Sequence, residues 1–291
     1  MIRLAACLFS FWAAIFPAAA GKLKVVATFS ILGDIASRVG GDAIELKTLV
    51  GPNGDAHMYE ATAADARSVA RAQVLLVNGL SFDDWAHRLV QASRSKANVV
   101  VAANGVEPLG EHHGHADPHA WQDVRNVVVY VANIERAFAA ADPAKGATYA
   151  ANAASYRREL EALDTDIRNA LSPIAPVRRK AVTTHGSFAY FEHAYDVAFT
   201  APLGTSTEEQ ASAKSLAALI TGVRTAAIKA LFLENVADPR LMRQVARETG
   251  VELAGTLYAD ALSTKDGPAP TYIALMRHNV ALLTAAMARG L

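Results

Sequence analysis

Short apolar runs alternate with amphipathic segments along the first half of the chain. Residues 22–29 (KLKVVATF) are rich in β-branched side chains, and residues 43–50 (AIELKTLV) alternate between apolar and polar positions, so both are predicted strands. Two further apolar runs, 74–78 and 98–102, are predicted strands as well. The intervening segments have helical periodicity, over residues 31–39, 62–72 and 83–92. Strands that alternate with helices predict a parallel sheet with helices on both faces.

A long helix is predicted in the middle of the chain. Apolar side chains recur at spacings of three and four from Tyr149 to Leu171, and Asp142-Pro143 offers an N-cap and a first-turn proline. No Gly or Pro lies between Gly146 and Pro173. A helix over residues 143–171 would be roughly 43 Å long at 1.5 Å per residue. That length suits a stiff connection along two lobes.

The alternation of strands and helices starts again after this helix. Strands are predicted over residues 179–185, 197–203, 230–235 and 252–258, and helices over 188–195, 211–226, 238–250 and 271–287. Two pairs of predicted strands are faintly alike, KVVATF with KAVTTH and VLLVN with LFLEN. We therefore expect an α/β protein of two lobes, each a parallel sheet with helices on both faces, joined by one long rigid helix. The predicted boundaries are 21–141 for the N-terminal lobe, 142–176 for the linker helix and 177–291 for the C-terminal lobe.

Residues 1–20 have the pattern of a secretory signal peptide. Arg3 precedes an apolar run that Pro17 ends, and three alanines follow as a cleavage site. The run is shorter than the about 20 apolar residues that span a bilayer. Cleavage after Ala20 would remove Cys7, the single cysteine, and with it any disulfide or thiolate metal site. Any metal must then be held by His, Asp or Glu.

Composition narrows the function classes further. The 291 residues carry 28 Lys and Arg against 28 Asp and Glu, so no nucleic-acid surface is expected. The hydrophobic share of 52% is that of a folded chain rather than a disordered one.

Three histidines and one aspartate follow the carboxyl ends of predicted strands: His57, His119, His185 and Asp260. Open parallel sheets bind ligands at that edge, and imidazole with carboxylate is a good ligand set for a borderline divalent metal. The four residues lie far apart in sequence and form no local metal motif. Their spacing alone leaves open both a metal site and four unrelated side chains.

Four stretches around these residues carry a family resemblance. They are GPNGDAHMYE, DPHAW, THGSFAYF and LYADALS. With them, the chain resembles the zinc/manganese-type periplasmic solute-binding proteins of ABC importers, from about Lys22 to the C-terminus. The resemblance implies two α/β lobes joined by a long helix, with the metal between them on His57, His119, His185 and Asp260. It implies a periplasmic receptor, not an enzyme, that delivers its metal to an ABC permease in the inner membrane. We expect a monomer that binds neither nucleic acid nor a small organic substrate.

Three imidazoles and one carboxylate favour Zn²⁺ as the cargo, with Mn²⁺ as the alternative. A free-standing periplasmic zinc chaperone is a further alternative. A zinc hydrolase would require Asp260 to leave a coordination position open.

Neighbouring residues have predicted supporting roles. Asp117 is predicted to cap the helix that follows it and so to fix the backbone of His119. Glu60 and Glu234 are candidate partners for the second ring nitrogen of His57 and His185, respectively, or else solvated carboxylates. A short segment is either an accessory metal-capture site or a solvated loop that happens to contain His112, His113 and His115.

Overall fold

The computed structural model describes residues 21–110 and 116–289 of the chain. The predicted signal peptide, residues 1–20, and the histidines of the short segment, His112, His113 and His115, lie outside the described residues. None of the helices in the described part is long and apolar enough to cross a membrane.

The N-terminal lobe is built on a parallel four-stranded sheet in the order β2-β1-β3-β4. Its strands are β1 (Leu23–Phe29), β2 (Ile44–Val50), β3 (Val74–Val77) and β4 (Asn98–Val101). Val25 on β1 pairs with Leu46 on one side and with Val74 on the other. The helices of this lobe are α1 (Ser30–Gly40), α2 (Ala63–Arg71), α3 (Trp85–Ser93) and α4 (Val124–Ala141).

The long central helix is α5 (Gly146–Leu171). It packs against α1 and α4 of the first lobe and also against helices that follow it in the chain. One face is buried throughout, formed by Tyr149, Ala153, Tyr156, Leu160, Leu163, Ile167 and Leu171. Its 26 residues span roughly 39 Å.

The start of this helix differs from the prediction. α4 continues to Ala141, and a 3₁₀ turn (Pro143–Lys145) separates it from α5. Asp142 therefore follows the end of α4 and does not cap α5, and its carboxylate accepts a hydrogen bond from the hydroxyl of Tyr149 at 3.2 Å.

The C-terminal lobe repeats the strand order of the first, as β6-β5-β7-β8. Its strands are β5 (Lys180–Val182), β6 (Ala198–Thr200), β7 (Leu231–Glu234) and β8 (Leu253–Leu257). Its helices are α6 (Ala189–Tyr195), α7 (Ala213–Thr225), α8 (Pro239–Thr249) and α9 (Tyr272–Ala288). The structure thus has the predicted two-lobe α/β fold with a long connecting helix.

Buried hydrogen bonds join the two lobes at the carboxyl edges of the sheets. The carbonyl oxygen of Ala259 accepts from the indole N–H of Trp121 and from the amide of Gln122, both at 2.9 Å. The hydroxyl of Tyr272 donates in return to the carbonyl oxygen of Trp121 at 2.6 Å. Nearby, the backbone N–H of Leu262 donates to the Ser30 hydroxyl at 2.9 Å. These contacts hold the lobes face to face at this edge.

The hydrophobic core is continuous across the lobes. One cluster of buried side chains includes both faces of the first sheet, α5, and much of α6 and α9. A smaller separate cluster lies inside the second lobe, formed by Val182, Leu219, Val223, Ile228, Leu231, Met242 and Val245.

Candidate metal centre

Four side chains from four separate segments meet where the lobes face each other. His57 and His119 follow β2 and β4 of the first lobe, and His185 and Asp260 follow β5 and β8 of the second. Each contributes one nitrogen or oxygen atom, and these four atoms all lie within 4.8 Å of one another. The imidazole of His57 is 7% exposed, and the other three side chains are fully buried.

The distances between the donor atoms have the scale of a metal coordination shell. His57 Nε2 lies 3.3 Å from His119 Nε2 and 3.4 Å from Asp260 Oδ2. Asp260 Oδ2 lies 3.1 Å from His185 Nε2, and Asp260 Oδ1 lies 3.5 Å from His119 Nε2. A tetrahedron with metal–ligand bonds of about 2.0–2.1 Å has edges of about 3.3–3.4 Å. The four donors therefore fit around one ion of that size.

Buried polar atoms without partners point to the same conclusion. Within the described part of the chain, His185 Nε2 and both carboxylate oxygens of Asp260 have no hydrogen-bond partner. An unsatisfied buried carboxylate is costly in a folded protein. A divalent cation at this point would satisfy all three atoms at once.

The backbone of His119 is held by the aspartate two residues before it. Asp117 Oδ1 accepts the backbone N–H of His119 at 2.8 Å and lies 2.8 Å from its Nδ1. A proton on Nδ1 leaves the lone pair of Nε2 free for the metal. Asp117 does not cap a helix as predicted. The next turn is 3₁₀ (Ala120–Gln122), and α4 is capped by Asp123.

Glu234 supports His185 in a similar way. Its Oε1 accepts the backbone N–H groups of Thr184 at 2.7 Å and of His185 at 3.1 Å. Its Oε2 makes a short contact with His185 Nδ1. The carboxylate therefore fixes both the backbone and the ring orientation of His185, and it directs Nε2 at Asp260.

The metal-free site carries paired opposite charges. Burial alone would lower the pKa of His185, but the carboxylates of Glu234 and Asp260 outweigh burial and hold that pKa well above its usual value. Burial would raise the pKa of Asp260, but the imidazoles of His185 and His119 hold it well below its usual value. A proton on His185 thus occupies the position of a cation until a metal replaces it.

His57 is supported differently from the other two imidazoles. Asp55 Oδ1 accepts its backbone N–H at 2.9 Å, and its ring packs edge-on against Phe82 with centroids 4.8 Å apart. Among residues 21–110 and 116–289, no carboxylate accepts a hydrogen bond from His57 Nδ1. Glu60, the predicted partner, is exposed and makes no hydrogen bond to His57 there.

An open cleft of about 540 Å³ lies beside His57. Its walls come from residues 58–60 and 80–85 of the first lobe and from the second-lobe residues around Thr205 and Glu208. Carboxylates of Glu60, Asp84, Glu208 and Glu209 outnumber the single cation Arg88 in its lining. An excess of negative charge at a cleft concentrates cations there.

The sequence analysis missed several residues that build the site. Asp55 was one, although the Asp-x-His pattern occurs twice, in Asp55-Ala56-His57 and Asp117-Pro118-His119. In both cases the aspartate accepts the backbone N–H of the histidine two residues later. Trp121 and Gln122 were also missed, because a bond to a distant backbone carbonyl leaves no local pattern.

Two parallel-sheet lobes, fixed along one helix and enclosing a set of His and Asp donors, define a solute-binding protein for a metal ion. The sequence profile of the periplasmic zinc-uptake complex component A family, ZnuA, matches residues 25–286. The chain belongs to this family, whose members are transport components and not enzymes. It is therefore a metal-binding substrate-binding protein of an ABC transporter, which implies a permease partner.

Relatives of known name or structure support this assignment. The chain is 34% identical to the iron-binding protein YfeA of Yersinia pestis over 265 residues, 90% of this chain and 85% of YfeA. The periplasmic zinc-binding protein TroA of Treponema pallidum has a similar structure, with a TM-score of 0.88 at 27% identity over 92% of this chain and all of TroA. The Mn-bound periplasmic metal-binding protein from Candidatus Liberibacter asiaticus has a TM-score of 0.83 at 28% identity, over 91% of this chain and all of that one. The relatives are thus named for different metals.

Proposed function

We propose that this protein captures Zn²⁺ in the periplasm and delivers it to the permease of an ABC importer. The observation that carries the proposal is the convergence of His57, His119, His185 and Asp260, with donor separations near the edges of a zinc tetrahedron. Imidazole suits Zn²⁺, and among divalent ions Zn²⁺ binds such ligands more tightly than Mn²⁺ or Fe²⁺. The signal-peptide pattern of residues 1–20 supports export of the mature chain.

The residues of the site have distinct roles in capture. The carboxylates of the cleft attract the cation, and His57 is the ligand nearest that cleft. His119 and His185 are held by Asp117 and Glu234 with Nε2 directed inward. Asp260 supplies the negative charge and comes from the lobe opposite His57, so the ion ties the two lobes together.

Mn²⁺ or Fe²⁺ is the second candidate cargo, and one observation favours it. Both oxygens of Asp260 face the imidazoles without a hydrogen-bond partner in the described residues, so the carboxylate can bind an ion through both. A fifth coordination bond suits ions that prefer more oxygen ligands than zinc does. YfeA is named for iron, and the Candidatus Liberibacter asiaticus protein was solved with manganese.

Calorimetric titration of the metal-free protein with Zn²⁺, Mn²⁺ and Fe²⁺ tests the proposal. We expect one saturable Zn²⁺ site per chain tighter than about 1 μM, and weaker binding of the other two ions. Since all four ligands belong to one chain, we expect a monomer with one ion. The absence of any site tighter than micromolar would refute the receptor function. Tighter binding of Mn²⁺ or Fe²⁺ than of Zn²⁺ would refute zinc as the cargo.

A second experiment separates this site from the neighbouring histidine-rich segment. His119→Ala should abolish tight binding because it removes a buried ligand. A triple alanine variant of the segment should keep the tight site and lose only weaker binding; its substituted residues are His112, His113 and His115. The opposite pattern would move the site to that segment.

A further inference from the structure

A segment between β6 and α7, residues 201–212, crosses the cleft beside the metal centre, and we refer to it as the strap. Its first part is fixed to the segment that carries His185. The backbone N–H of Gly186 donates to the carbonyl oxygen of Gly204 at 2.7 Å, and that of Leu203 donates to the carbonyl oxygen of Thr184 at 3.3 Å. The strap therefore follows the position of the second lobe.

The strap reaches the first lobe through the side chain of Thr207. Its hydroxyl donates to Asp55 Oδ2 at 2.7 Å, across 152 positions of sequence. The other oxygen of the same carboxylate, Oδ1, accepts the backbone N–H of His57 at 2.9 Å. One carboxylate thus connects the second lobe to a ligand-bearing residue of the first.

Asp117 shows what Asp55 does differently. Both aspartates stand two residues before a histidine and accept its backbone N–H. Asp117 also lies against the ring of its own histidine, whereas Asp55 turns its second oxygen to Thr207. The placement of His119 is therefore complete within the first lobe, and the placement of His57 depends on the second.

The remaining contacts between the lobes are of another kind. The carbonyl oxygen of Ala259 is held by two buried donors from Trp121 and Gln122, which fixes the backbone beside Asp260. The loop before His57 is anchored at Asn53, whose backbone N–H donates to the carbonyl oxygen of Leu262 at 2.9 Å. Thr207 and Asp55 are only partly buried, so theirs is the contact that can break without exposing core.

We propose that Asp55 is a positioning residue that holds His57 in place through Thr207, and that the Thr207–Asp55 hydrogen bond sets the rate of metal release. The proposal rests on the proposed function, since it concerns exchange of the same ion. Breaking this bond frees His57, the ligand nearest the cleft, while the clamp at Ala259 keeps the lobes together. Release then proceeds by a local movement of residues 55–60 and the strap rather than by separation of the lobes.

Stopped-flow measurement of Zn²⁺ dissociation into excess chromogenic chelator tests this role. Thr207→Val removes the hydroxyl and keeps the shape, and it should raise the dissociation rate by about fivefold, the effect of losing one partly exposed hydrogen bond to a carboxylate. Thr207→Ser keeps the hydroxyl and should release at the wild-type rate. Thr205→Val is the matched control, because Thr205 lies on the same strap and makes no hydrogen bond to the first lobe among the described residues. Its rate should also be that of the wild type.

A double-mutant cycle decides whether Thr207 acts through Asp55. Asp55→Ala should raise the dissociation rate more than Thr207→Val does, because it also frees the backbone N–H of His57. Adding Thr207→Val to Asp55→Ala should change nothing further if the two residues form one unit. Additive effects, or a wild-type rate for Thr207→Val, would overturn the proposal.

Two control measurements keep the outcomes distinct. Unchanged melting temperatures of the metal-free variants would exclude a general loss of structure as the cause. Failure of the proposed function would appear as absence of tight Zn²⁺ binding in the wild type itself. A wild type that binds tightly and a Thr207→Val variant that releases no faster would reject the positioning role alone.

Discussion

Replacement of Glu234 by Gln should weaken metal binding without touching a ligand. In the structure, Glu234 Oε1 accepts two backbone N–H groups, and Oε2 faces His185 Nδ1. A glutamine can keep the two backbone bonds only by turning its NH₂ group toward Nδ1. That nitrogen must then accept a hydrogen bond, and the neutral ring carries its proton on Nε2, the atom that faces Asp260. The metal-binding lone pair is lost in the preferred state of the ring.

The size of the effect follows from this geometry. Loss of an outer partner of a ligating histidine typically costs 10–100-fold in metal affinity. The fully buried pair offers no water to replace the lost acceptor, so we expect about 100-fold, or about 2.7 kcal/mol. Competition with a chromogenic zinc chelator at fixed pH measures this, with Glu161→Gln on the exposed face of α5 as the control. An affinity within about threefold of wild type, about 0.7 kcal/mol, would refute the assigned role of Glu234.

Three further predictions concern the same centre. Asp260→Ala should still bind Zn²⁺ through three imidazoles but more weakly, by at least about tenfold in chelator competition, with Asp260→Asn between it and wild type; equal affinities would mean that Asp260 is not a ligand. Because the pKa of His185 is held well above its usual value, the metal-free protein carries that proton at neutral pH and should release about one proton per Zn²⁺ bound. Affinity should accordingly fall as pH is lowered, and calorimetry in buffers of different ionisation enthalpy that found no proton release would contradict this. Trp121→Phe removes one of two donors to the carbonyl oxygen of Ala259 and should lower the free energy of unfolding by about 1 kcal/mol in urea titration, whereas an unchanged midpoint would show that the bond adds no stability.

Much of the fold could be predicted because each element has a local cause. The β-branched runs, the three-and-four spacing of α5 and the restart of strands after Pro176 are all visible in short windows of sequence. The start of α5 was wrong because α4, whose periodicity runs on to Ala141, already occupies the residues before Asp142. A capping residue cannot show by itself which of two neighbouring helices it serves.

The four residues proposed as ligands could be selected from the sequence, because histidines after parallel strands are unusual and family stretches surround them. Their supporting partners were predicted less well. Glu234 lies against His185 because β7 runs beside β5, which strand order suggests. The exposed position of Glu60 and the strap contact of Asp55 depend on loop paths between lobes, for which no periodic pattern exists.

The core that continues from one lobe into the other has a consequence for how the protein is degraded. Since α5 and its neighbours share buried side chains with both sheets, neither lobe has a complete core of its own, and the chain should unfold in a single cooperative transition. A metal bound at a thousandfold its dissociation constant would then stabilise the entire chain by about 4 kcal/mol. Proteases act on the unfolded population, so metal-loaded protein should survive digestion far longer than metal-free protein. Occupancy of one small site would in this way set the amount of receptor that persists when metal is scarce.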